Sequence, residues 1–443
     1  MMRATKAAEA STANCAQLEI SPNPAYIDER VTLQIRGLEP GMRVMIRAQV
    51  RDDAGRVWES RGIFRADQSG CVNPAVQDSL GGTYRGRDAM GLFWSMELAA
   101  KTGTERATFL KEEIEPDVVS LTVGAGPHVI ASGHLERRWV KPGTRIRDVR
   151  DDGLVARLFV PAGHESKRAV IVLGGSGGGY DLDKAAVLSR HGFATLALAY
   201  FGVPPLPQWL HRVPLEYFER ALAWLVRQPE ISARHIGVLG VSRGAEIGLL
   251  VGATFPEVGA IVAYAPSAIA WGSGGRDKAT GAHIPCWTWN SAPVPFAPLP
   301  LRGFIARSAV PVGLLGRPVK FQKLFRPAMR SREAIEQAMI PVENCCGPVL
   351  LISGGDDHVW PAARMAKMIV ERLHARGLAH KAEHLNYRAA GHALRYPYLP
   401  TTARTSRSAG LKYPISFGGT AQADATAQED AWRHAIAFLD KHL

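Results

Sequence analysis

The 443-residue sequence predicts an α/β fold with a doubly wound, mostly parallel sheet, preceded by an antiparallel β-sandwich. From about residue 154 onward, short apolar runs such as "AVIVLGG" and "ATLALAY" are typical of strands buried on both faces. Segments with apolar residues at helical spacing separate most of these runs, and such alternation produces a parallel sheet. Before about residue 140, apolar and polar residues alternate instead, and no long helix is indicated.

Residues 17–142 are predicted to form the sandwich, after a flexible tail over residues 1–16. In "RVMIRAQVRDDAGRVWES", a strand with one apolar and one polar face is followed by the turn residues Asp-Ala-Gly. The apolar face of that strand would carry Val44, Ile46, Ala48 and Val50. "RVTLQIRGL" and "PDVVSLTVGAG" have similar patterns, and short strands at this spacing fit an immunoglobulin-like sandwich.

Residues 143–443 are predicted to hold the parallel sheet. Its strands are expected in "LVARLFV", "AVIVLGG", "ATLALAY", "HIGVLG", "AIVAYAP", "PVLLISGG" and "AEHLNY". Amphipathic spacing predicts helices in "LEYFERALAWLVRQ", in "ARMAKMIVERLHARG" and over residues 424–442. Residues 267–342 interrupt the alternation. Because this insertion is rich in Pro, Gly and Trp but also apolar, we expect an ordered flap over a site, with a short helix at 331–338.

The formal net charge of +12 is compatible with a nucleic-acid binder, a membrane-surface protein or an enzyme acting on polyanionic small molecules. The basic residues form no dense tract, so we expect no nucleic-acid partner. No apolar run approaches the 18 or so residues that a membrane span requires, so no span is expected. The oligomeric state, monomer or homodimer, is left open.

The cysteines and the chain ends bear on the compartment. Five cysteines without a Cys-x-x-Cys pair argue against a disulfide framework or a zinc site, and we expect no metal. The first residues lack the apolar stretch of a secretory signal, and the final "KHL" only loosely resembles a peroxisomal address. A cytoplasmic location is therefore expected.

The stretch "GVLGVSRGAEIG", residues 237–248, is the first candidate for chemistry. Ser242 lies between Gly240 and Gly244, after an apolar strand and before a helix containing small residues. A turn serine is one reading of this pattern. The context, however, is typical of the nucleophile elbow of α/β-hydrolases, and we interpret Ser242 as the catalytic nucleophile.

A serine nucleophile requires a base and an acid, which in this fold follow it in the order Asp or Glu, then His. Asp357 follows the strand "PVLLISG", and His392 follows the strand "AEHLNY". Both therefore lie at the edge of the sheet where the loops of an open α/β fold form a site. The spacing from Gly354 favours Asp357 as the acid, and His392 is assigned as the base. The competing candidates are Asp356 for the acid and His358, His380 and His384 for the base.

An oxyanion formed during acyl transfer requires backbone N–H donors. One should be the N–H of Arg243, which follows the nucleophile. The other should come from the glycine-rich loop "LGGSGGGY", residues 173–180, and we favour Gly175 or Ser176. The loop lacks the Gly-Lys-Ser/Thr ending of a phosphate-binding Walker motif.

Taken together, several stretches resemble the type I acyl-CoA thioesterase and bile acid-CoA:amino acid N-acyltransferase family. They are "ISPNPAYIDERVTLQIRGLEPG", "DAMGLFWSMEL", "VLGGSGGGYDLDKAAVLSRHGFATLALAYFGV", "PLEYFERALAWLV", "GVLGVSRGAEIGLL", "SGGDDHVWP" and "AAGHALRYPYLPTT". The resemblance implies a Ser or Cys nucleophile with an Asp and a His, which map onto Ser242, Asp357 and His392. It also implies acyl-CoA substrates, with coenzyme A as part of the substrate and no separate cofactor. Arginines near the cleft would bind the phosphates of coenzyme A.

The leading prediction is a serine thioesterase that hydrolyses fatty or related acyl-CoA through an acyl-Ser242 intermediate. The alternatives are an acyltransferase that passes the acyl group to an amine or alcohol, an esterase acting on other esters, and a non-catalytic binding module. Serine at position 242 favours hydrolysis, since the members of the family that conjugate amino acids resemble the form with a cysteine nucleophile. The insertion is longer and richer in Trp and Pro than the family pattern predicts, so the acyl-chain preference is left open.

Overall fold

The computed structural model describes residues 16–100, 108–163, 166–406 and 413–443. The predicted flexible tail lies outside the described residues, apart from Ala16.

The strand pairings of the N-terminal region are antiparallel, as the alternating pattern predicts, except for the short parallel pairing of Ala25–Tyr26 with Arg137 and Arg138. In chain order the strands are β1 (Gln17–Ser21), β2 (Ala25–Tyr26), β3 (Thr32–Arg36), β4 (Arg43–Arg51), β5 (Val57–Arg65), β6 (Gly81–Gly82), β7 (Glu97–Leu98), β8 (Asp117–Ala125) and β9 (His128–Arg138). β1 pairs with β3, and the other seven form one sheet. The alternate residues of β4 from Val44 to Val50 are buried, which confirms their predicted face. The likeness to an immunoglobulin domain stays a prediction.

The remaining strands begin at Arg145. They are β10 (Arg145–Val149), β11 (Val155–Val160), β12 (Ala169–Leu173), β13 (Ala194–Ala199), β14 (Val213–Pro214), β15 (Ile236–Val241), β16 (Val258–Tyr264), β17 (Trp287–Trp289), β18 (Ala292–Pro293), β19 (Val349–Gly354), β20 (Ala382–Tyr387), β21 (Thr405–Ser406) and β22 (Ile415–Ser416). Eight of them form one sheet in the order β10-β11-β13-β12-β15-β16-β19-β20. All pairings from β13 to β20 in this order are parallel, whereas β10 and β11 are antiparallel additions at one edge. This is the mostly parallel α/β-hydrolase sheet that the sequence predicts.

Helices cover both faces of this sheet. In chain order the α-helices are α1 (Gly91–Trp94), α2 (Leu182–Ser189), α3 (Leu215–Val226), α4 (Arg243–Thr254), α5 (Leu301–Phe304), α6 (Val310–Leu314), α7 (Gln322–Phe325), α8 (Arg332–Ala338), α9 (Ala362–Ala375) and α10 (Ala421–His442). Apolar side chains of α3, α4 and α9 share one core with the insertion. Those of α2 and α10 share a second core with the N-terminal strands. The N-terminal region therefore packs against the face opposite the insertion.

Two expectations require correction. The strand "AEHLNY" is not buried on both faces, since all six residues of β20 are at least partly exposed because it is the edge strand of the sheet. The insertion contains more helix than the single segment predicted. α8 begins beside the predicted position, with the Ser331 hydroxyl accepting a hydrogen bond from the N–H of Ala334. A further helical stretch includes α5, a π-helical turn at Ile305–Ala309, and α6. Its glycines and prolines obscure the helical pattern in the sequence.

Candidate active site

Ser242 lies in a sharp turn between β15 and α4, in a backbone conformation that side chains rarely adopt. Its φ and ψ angles are 57° and −114°, and α4 begins at the next residue. A Cβ at Gly240 would overlap the backbone of Gly244, and a Cβ at Gly244 would overlap the carbonyl of Leu173. Both glycines are therefore required by close backbone contact. The turn has the strained strand-to-helix geometry of a nucleophile elbow.

His392 and Asp357 form a hydrogen-bonded pair. Nδ1 of the imidazole donates to Oδ2 of the carboxylate over 2.7 Å. The other carboxylate oxygen, Oδ1, accepts hydrogen bonds from the backbone N–H groups of Val359, at 2.7 Å, and Trp360, at 3.1 Å. These contacts fix the orientation of the carboxylate. Because Nδ1 carries the proton, Nε2 of His392 is the nitrogen that is free to accept one.

The three predicted catalytic residues follow strands that end at the same edge of the sheet. Ser242 follows β15, Asp357 follows β19, and His392 follows β20. These strands run parallel, and β16 separates β15 from β19. The structure brings Asp357 and His392 into contact. Within the described part of the chain no hydrogen bond joins Ser242 Oγ to His392, and catalytic hydrogen bonds are often long before substrate binds.

Asp356, the competing acid, makes different contacts. Its Oδ2 accepts a hydrogen bond from the N–H of Gly419 at 3.0 Å. Its Oδ1 lies 3.1 Å from Nε2 of His358, and its side chain is 52% exposed. Nδ1 of His358 lies 2.8 Å from the Ser416 hydroxyl, and its Nε2 lies 2.9 Å from Nζ of Lys320. Asp356 and His358 therefore form a separate pair rather than part of the Asp357–His392 pair.

The other two candidate bases lie away from these loops. His384 is in the middle of β20, where its Nε2 is 2.8 Å from the Ser353 hydroxyl. His380 lies in the 3₁₀ turn Ala379–Lys381, immediately before β20. This turn is at the opposite end of the strand from His392.

The predicted oxyanion donors lie on two sides of Ser242. Arg243 is the first residue of α4, so its N–H belongs to the helix N-terminal groups that have no partner within the helix. In the loop after β12, a Cβ at Gly175 would lie 3.5 Å from Cβ of Ser242. Ser176 is exposed to solvent. Gly175 therefore lies next to Ser242.

Comparison with known proteins relates this geometry to a family. Residues 28–151 match the family described as acyl-CoA thioester hydrolase/BAAT N-terminal region, and residues 213–443 match the family described as BAAT/acyl-CoA thioester hydrolase C terminal. The second match covers more than half of the chain.

The chain belongs to the acyl-CoA thioester hydrolase/BAAT family. Relatives of this family member include the peroxisomal succinyl-coenzyme A thioesterase of Mus musculus, which is 31% identical over 94% of each chain. The mitochondrial acyl-coenzyme A thioesterase 2 of Mus musculus is 32% identical over 94% of this chain and 87% of the relative. Acyl-coenzyme A thioesterase 1 of Rattus norvegicus is 32% identical over 94% of each chain.

Solved structures with a similar fold include a putative dienelactone hydrolase from Klebsiella pneumoniae. It is 16% identical, with a TM-score of 0.41, and the match covers 67% of this chain and 98% of the other. A Pyrococcus furiosus esterase is 17% identical, with a TM-score of 0.36, over 56% of this chain and 84% of the other.

A buried ion pair next to Ser242 has no signal in the sequence of this family member. Nη1 of Arg243 donates to Oε2 of Glu246 over 2.8 Å, and both side chains are buried. Oε1 of Glu246 accepts hydrogen bonds from the N–H of Trp271 and from Nε1 of Trp287, both in the insertion. Nη2 of Arg243 donates to the carbonyl of Gly272. Burial raises the pKa of Glu246, although Arg243 and these hydrogen bonds oppose the shift. The pair therefore connects α4 to the insertion.

A second buried network connects the two loops on either side of the site. Asp183, at the start of α2, accepts hydrogen bonds from Arg395 and from the Tyr396 hydroxyl, both just after His392. Burial alone would raise the pKa of Asp183, but the positive charges of Arg395 and Lys184 lower it below its usual value. Spacing alone gives no signal for this contact, since Asp183 and Arg395 are 212 residues apart.

Asp424, near the start of α10, holds the loop that carries His392. Its Oδ1 accepts a hydrogen bond from the N–H of Gly391 over 2.7 Å. Burial raises the pKa of Asp424 to about 7, while the Gly391 N–H and the charge of Arg404 oppose that shift. The sequence places Asp424 at the start of a predicted helix, and its pattern gives no signal for this contact.

The insertion contains a cavity of about 370 Å³, lined in part by Arg276, His283 and Arg302. None of the three predicted catalytic residues lines it. Over the ranges that the structure describes, no group of three or more His, Cys, Asp or Glu side chains could hold a metal ion. In the same ranges, no helix is both long and apolar enough to cross a bilayer.

Proposed function

We propose that the protein is a serine-dependent acyl-CoA thioesterase that hydrolyses fatty or related acyl-CoA to the free acid and coenzyme A. The observation that carries this proposal is the His392–Asp357 hydrogen bond of 2.7 Å on the strand edge where Ser242 occupies its elbow. The names of the relatives supply the substrate class, because those compared are acyl- or succinyl-coenzyme A thioesterases.

In the first half-reaction, Oγ of Ser242 attacks the thioester carbonyl carbon while Nε2 of His392 takes the hydroxyl proton. The tetrahedral oxyanion accepts hydrogen bonds from the N–H of Arg243 and from the N–H of Gly175 or Ser176. The carbon–sulfur bond then breaks. The proton on His392 passes to the departing sulfur, which leaves as the thiol of coenzyme A.

In the second half-reaction, His392 removes a proton from water, and the resulting hydroxide attacks the acyl-serine ester. Collapse of the second oxyanion breaks the ester bond and returns the proton to Ser242. Asp357 keeps the imidazole in the tautomer that both steps require and stabilises the imidazolium. Coenzyme A takes part only as a portion of the substrate, and this scheme requires neither a metal nor a separate cofactor.

Transfer of the acyl group to an amine or alcohol is the second candidate. The observation that favours it is the family description, which joins the thioester hydrolases with BAAT. Both reactions share the acyl-serine and differ in what attacks it. The serine at position 242 favours water as the acceptor.

The remaining expectations stay predictions. The cytoplasmic location is one of them. The names of two relatives place those proteins in peroxisomes or mitochondria, so the relatives do not support a cytoplasmic location. The choice between monomer and homodimer is another.

A panel of acyl-CoA substrates, with thiol release as the readout, tests the proposal. The wild-type protein should release coenzyme A and free acid in equal amounts, and Ser242→Ala should reduce turnover by several orders of magnitude. A Ser242→Ala protein that folds and keeps more than about a tenth of the wild-type rate would exclude the acyl-serine mechanism. Amide or ester products from the wild type, when an amine or alcohol is present, would support transfer instead.

A further inference from the structure

The positive charge of the chain is concentrated in the insertion. Residues 278–332 contain nine Lys or Arg residues and no Asp or Glu. This segment therefore contributes much of the net charge of +12 that the whole chain carries. All of the cations from Arg302 to Arg330 are exposed. None of these cations forms an ion pair with a carboxylate of any residue that the structure describes. Lys320 has a different neighbour, since its Nζ lies 2.9 Å from Nε2 of His358. The others are Arg302, Arg307, Arg317, Lys323, Arg326 and Arg330. A surface of this charge attracts anions.

The same segment exposes two adjacent leucines. Leu314 is 75% exposed and Leu315 is 73% exposed, the highest values among the exposed large apolar side chains of the described residues. They lie at the end of α6. Apolar side chains that are singly exposed are common, but two neighbouring leucines at the end of a helix within a cationic surface are not explained by packing in this chain.

The cations and the leucines lie on one face of a helical stretch. From α5 through the π-helical turn to α6, the exposed positions recur at intervals of about one turn. This face carries Arg302, Ala306, Arg307, Pro311, Leu314 and Leu315.

The opposite face of this stretch is packed against the protein. The rings of Phe304 and Phe321 are 5.0 Å apart, and Gly313 contacts the ring of Tyr413. The exposed face is therefore held in a fixed orientation, with arginines toward its start and leucines at its end.

We propose that this face of the insertion, residues 302–317, docks on an anionic lipid bilayer. Basic side chains attract the acidic headgroups, and an apolar tip inserts among the acyl chains at the interface. A nucleic acid would satisfy the cations but not the leucines, because phosphates and sugars offer no apolar environment. The inference does not rest on the proposed function. If that function also holds, docking would bring the enzyme to a surface where long-chain acyl-CoA, an amphiphile, accumulates.

Co-sedimentation of the full chain with vesicles tests the proposal. One vesicle preparation is phosphatidylcholine alone, and the other contains about 30% phosphatidylglycerol. We expect wild-type protein to sediment with the anionic vesicles and not with the neutral ones. Raising the salt to about 0.5 M should weaken binding because it screens the charges.

Two sets of variants separate the contributions. The first variant combines Leu314→Ser with Leu315→Ser, and the second combines Arg302→Gln, Arg307→Gln and Arg317→Gln. Each variant should lower the vesicle-bound fraction at limiting lipid by about tenfold. The matched controls have exposed residues changed elsewhere. They are Val118→Ser with Val129→Ser, and Arg145→Gln with Arg220→Gln and Arg234→Gln. They should bind like the wild type.

Three results would overturn the proposal. The first is no sedimentation of the wild type with anionic vesicles. The second is an equal loss in the control variants, which would indicate a general charge effect. The third is binding to a DNA duplex as tight as to vesicles that is unchanged by the leucine substitutions, which would indicate a polyanion surface. Thermal unfolding of each variant reports whether it folds. Thiol release from a soluble short-chain acyl-CoA, measured without vesicles, tests the proposed function. Because it does not involve the bilayer, it also separates failure of this proposal from failure of the proposed function.

Discussion

At the scale of single residues, the site is defined by which of two adjacent carboxylates contacts the histidine. Asp357 is buried, and its two oxygens accept hydrogen bonds from one imidazole and two backbone N–H groups. Asp356 is half-exposed and turned toward His358. Adjacent residues therefore have different environments, and only one of them can hold the tautomer of His392.

Asp357→Asn should reduce kcat by about 10⁴-fold, because an amide stabilises the wrong imidazole tautomer and cannot stabilise the imidazolium. Asp356→Asn is the matched control. Its partly solvated carboxamide can still accept a hydrogen bond, so kcat should stay within about tenfold of the wild-type value. Steady-state thiol release measures both. Equal losses, or a larger loss at position 356, would show that the acid is wrongly assigned.

Ser242→Cys should lower the rate of hydrolysis and raise the ratio of amide to free acid when glycine or taurine is supplied. An acyl-cysteine is a thioester, which an amine attacks more readily relative to water than it attacks an oxygen ester. Mass spectrometry of the products gives the ratio, with the wild type as control. An unchanged ratio would indicate that access to the pocket, rather than the nucleophile, selects the acceptor.

At the scale of secondary-structure elements, the loops of the site are fixed by buried polar contacts from helices that are distant in the sequence. α10 holds the histidine loop through Asp424, and α2 is joined to the residues after His392 through Asp183. α4 is joined to the insertion through Glu246. These contacts hold the predicted catalytic residues more firmly than exposed loops alone would hold them.

The contact at Asp424 predicts a pH dependence of stability. Burial raises the pKa of Asp424 from 3.8, the ordinary value for an aspartate in water, to about 7 in the folded protein, so the folded state binds more protons between these two pH values. Stability should therefore fall as the pH rises through this window. Asp424→Asn removes the ionisation but keeps an oxygen that can accept the Gly391 N–H.

Thermal unfolding at several pH values between about 5 and 8 tests this prediction. The decrease in Tm with rising pH should be smaller in Asp424→Asn than in the wild type. Asp430→Asn is the control on the same helix, because the pKa of Asp430 is lowered and lies below the window. An equal decrease in Tm with rising pH in Asp424→Asn and the wild type would show that ionisation of Asp424 does not cause the pH dependence.

At the scale of the whole molecule, the N-terminal strands and the parallel sheet share one apolar core together with α2 and α10. Asp28, from the N-terminal region, is buried in this contact. Its carboxylate accepts hydrogen bonds from the side chains of Arg190, His191 and Trp432. Burial alone would raise the pKa of Asp28, but the hydrogen bonds and positive charges of its partners have the larger effect. The pKa is therefore below its ordinary value, and the ionised carboxylate is favoured.

Asp28→Ala should destabilise the protein by about 3 kcal/mol, because it leaves Arg190 and His191 partly buried without their shared acceptor. Arg30→Ala is the matched control. It removes an ion pair with Glu429 that links the N-terminal region to α10, but Arg30 is 66% exposed. The expected cost is below about 1 kcal/mol. Urea unfolding followed by tryptophan fluorescence compares the two, and similar losses would show that the buried contact does not hold the regions together.

Local patterns in the sequence are sufficient for much of this architecture. The alternation in β4, the amphipathic face of α3 and the glycines around Ser242 all concern residues within a few positions of one another. Such patterns reflect local backbone geometry. Side chains repeat every two residues in a strand and every 3.6 residues in a helix, and glycine fits a tight turn because it has no Cβ. The edge position of β20 had no such signal, because strand order is set by packing of the whole sheet.

The sequence by itself determined the class of fold, the elbow at Ser242 and the strand-end positions of Asp357 and His392. Only the tertiary structure decided that His392 contacts Asp357 rather than Asp356. It also decided that Glu246 accepts hydrogen bonds from Trp271 and Trp287, and that Asp424 holds the loop of His392. The physical reason is that each of these contacts joins residues at least 25 positions apart. A buried polar group takes whichever partner the packed chain brings within about 3 Å, and no local period records that choice.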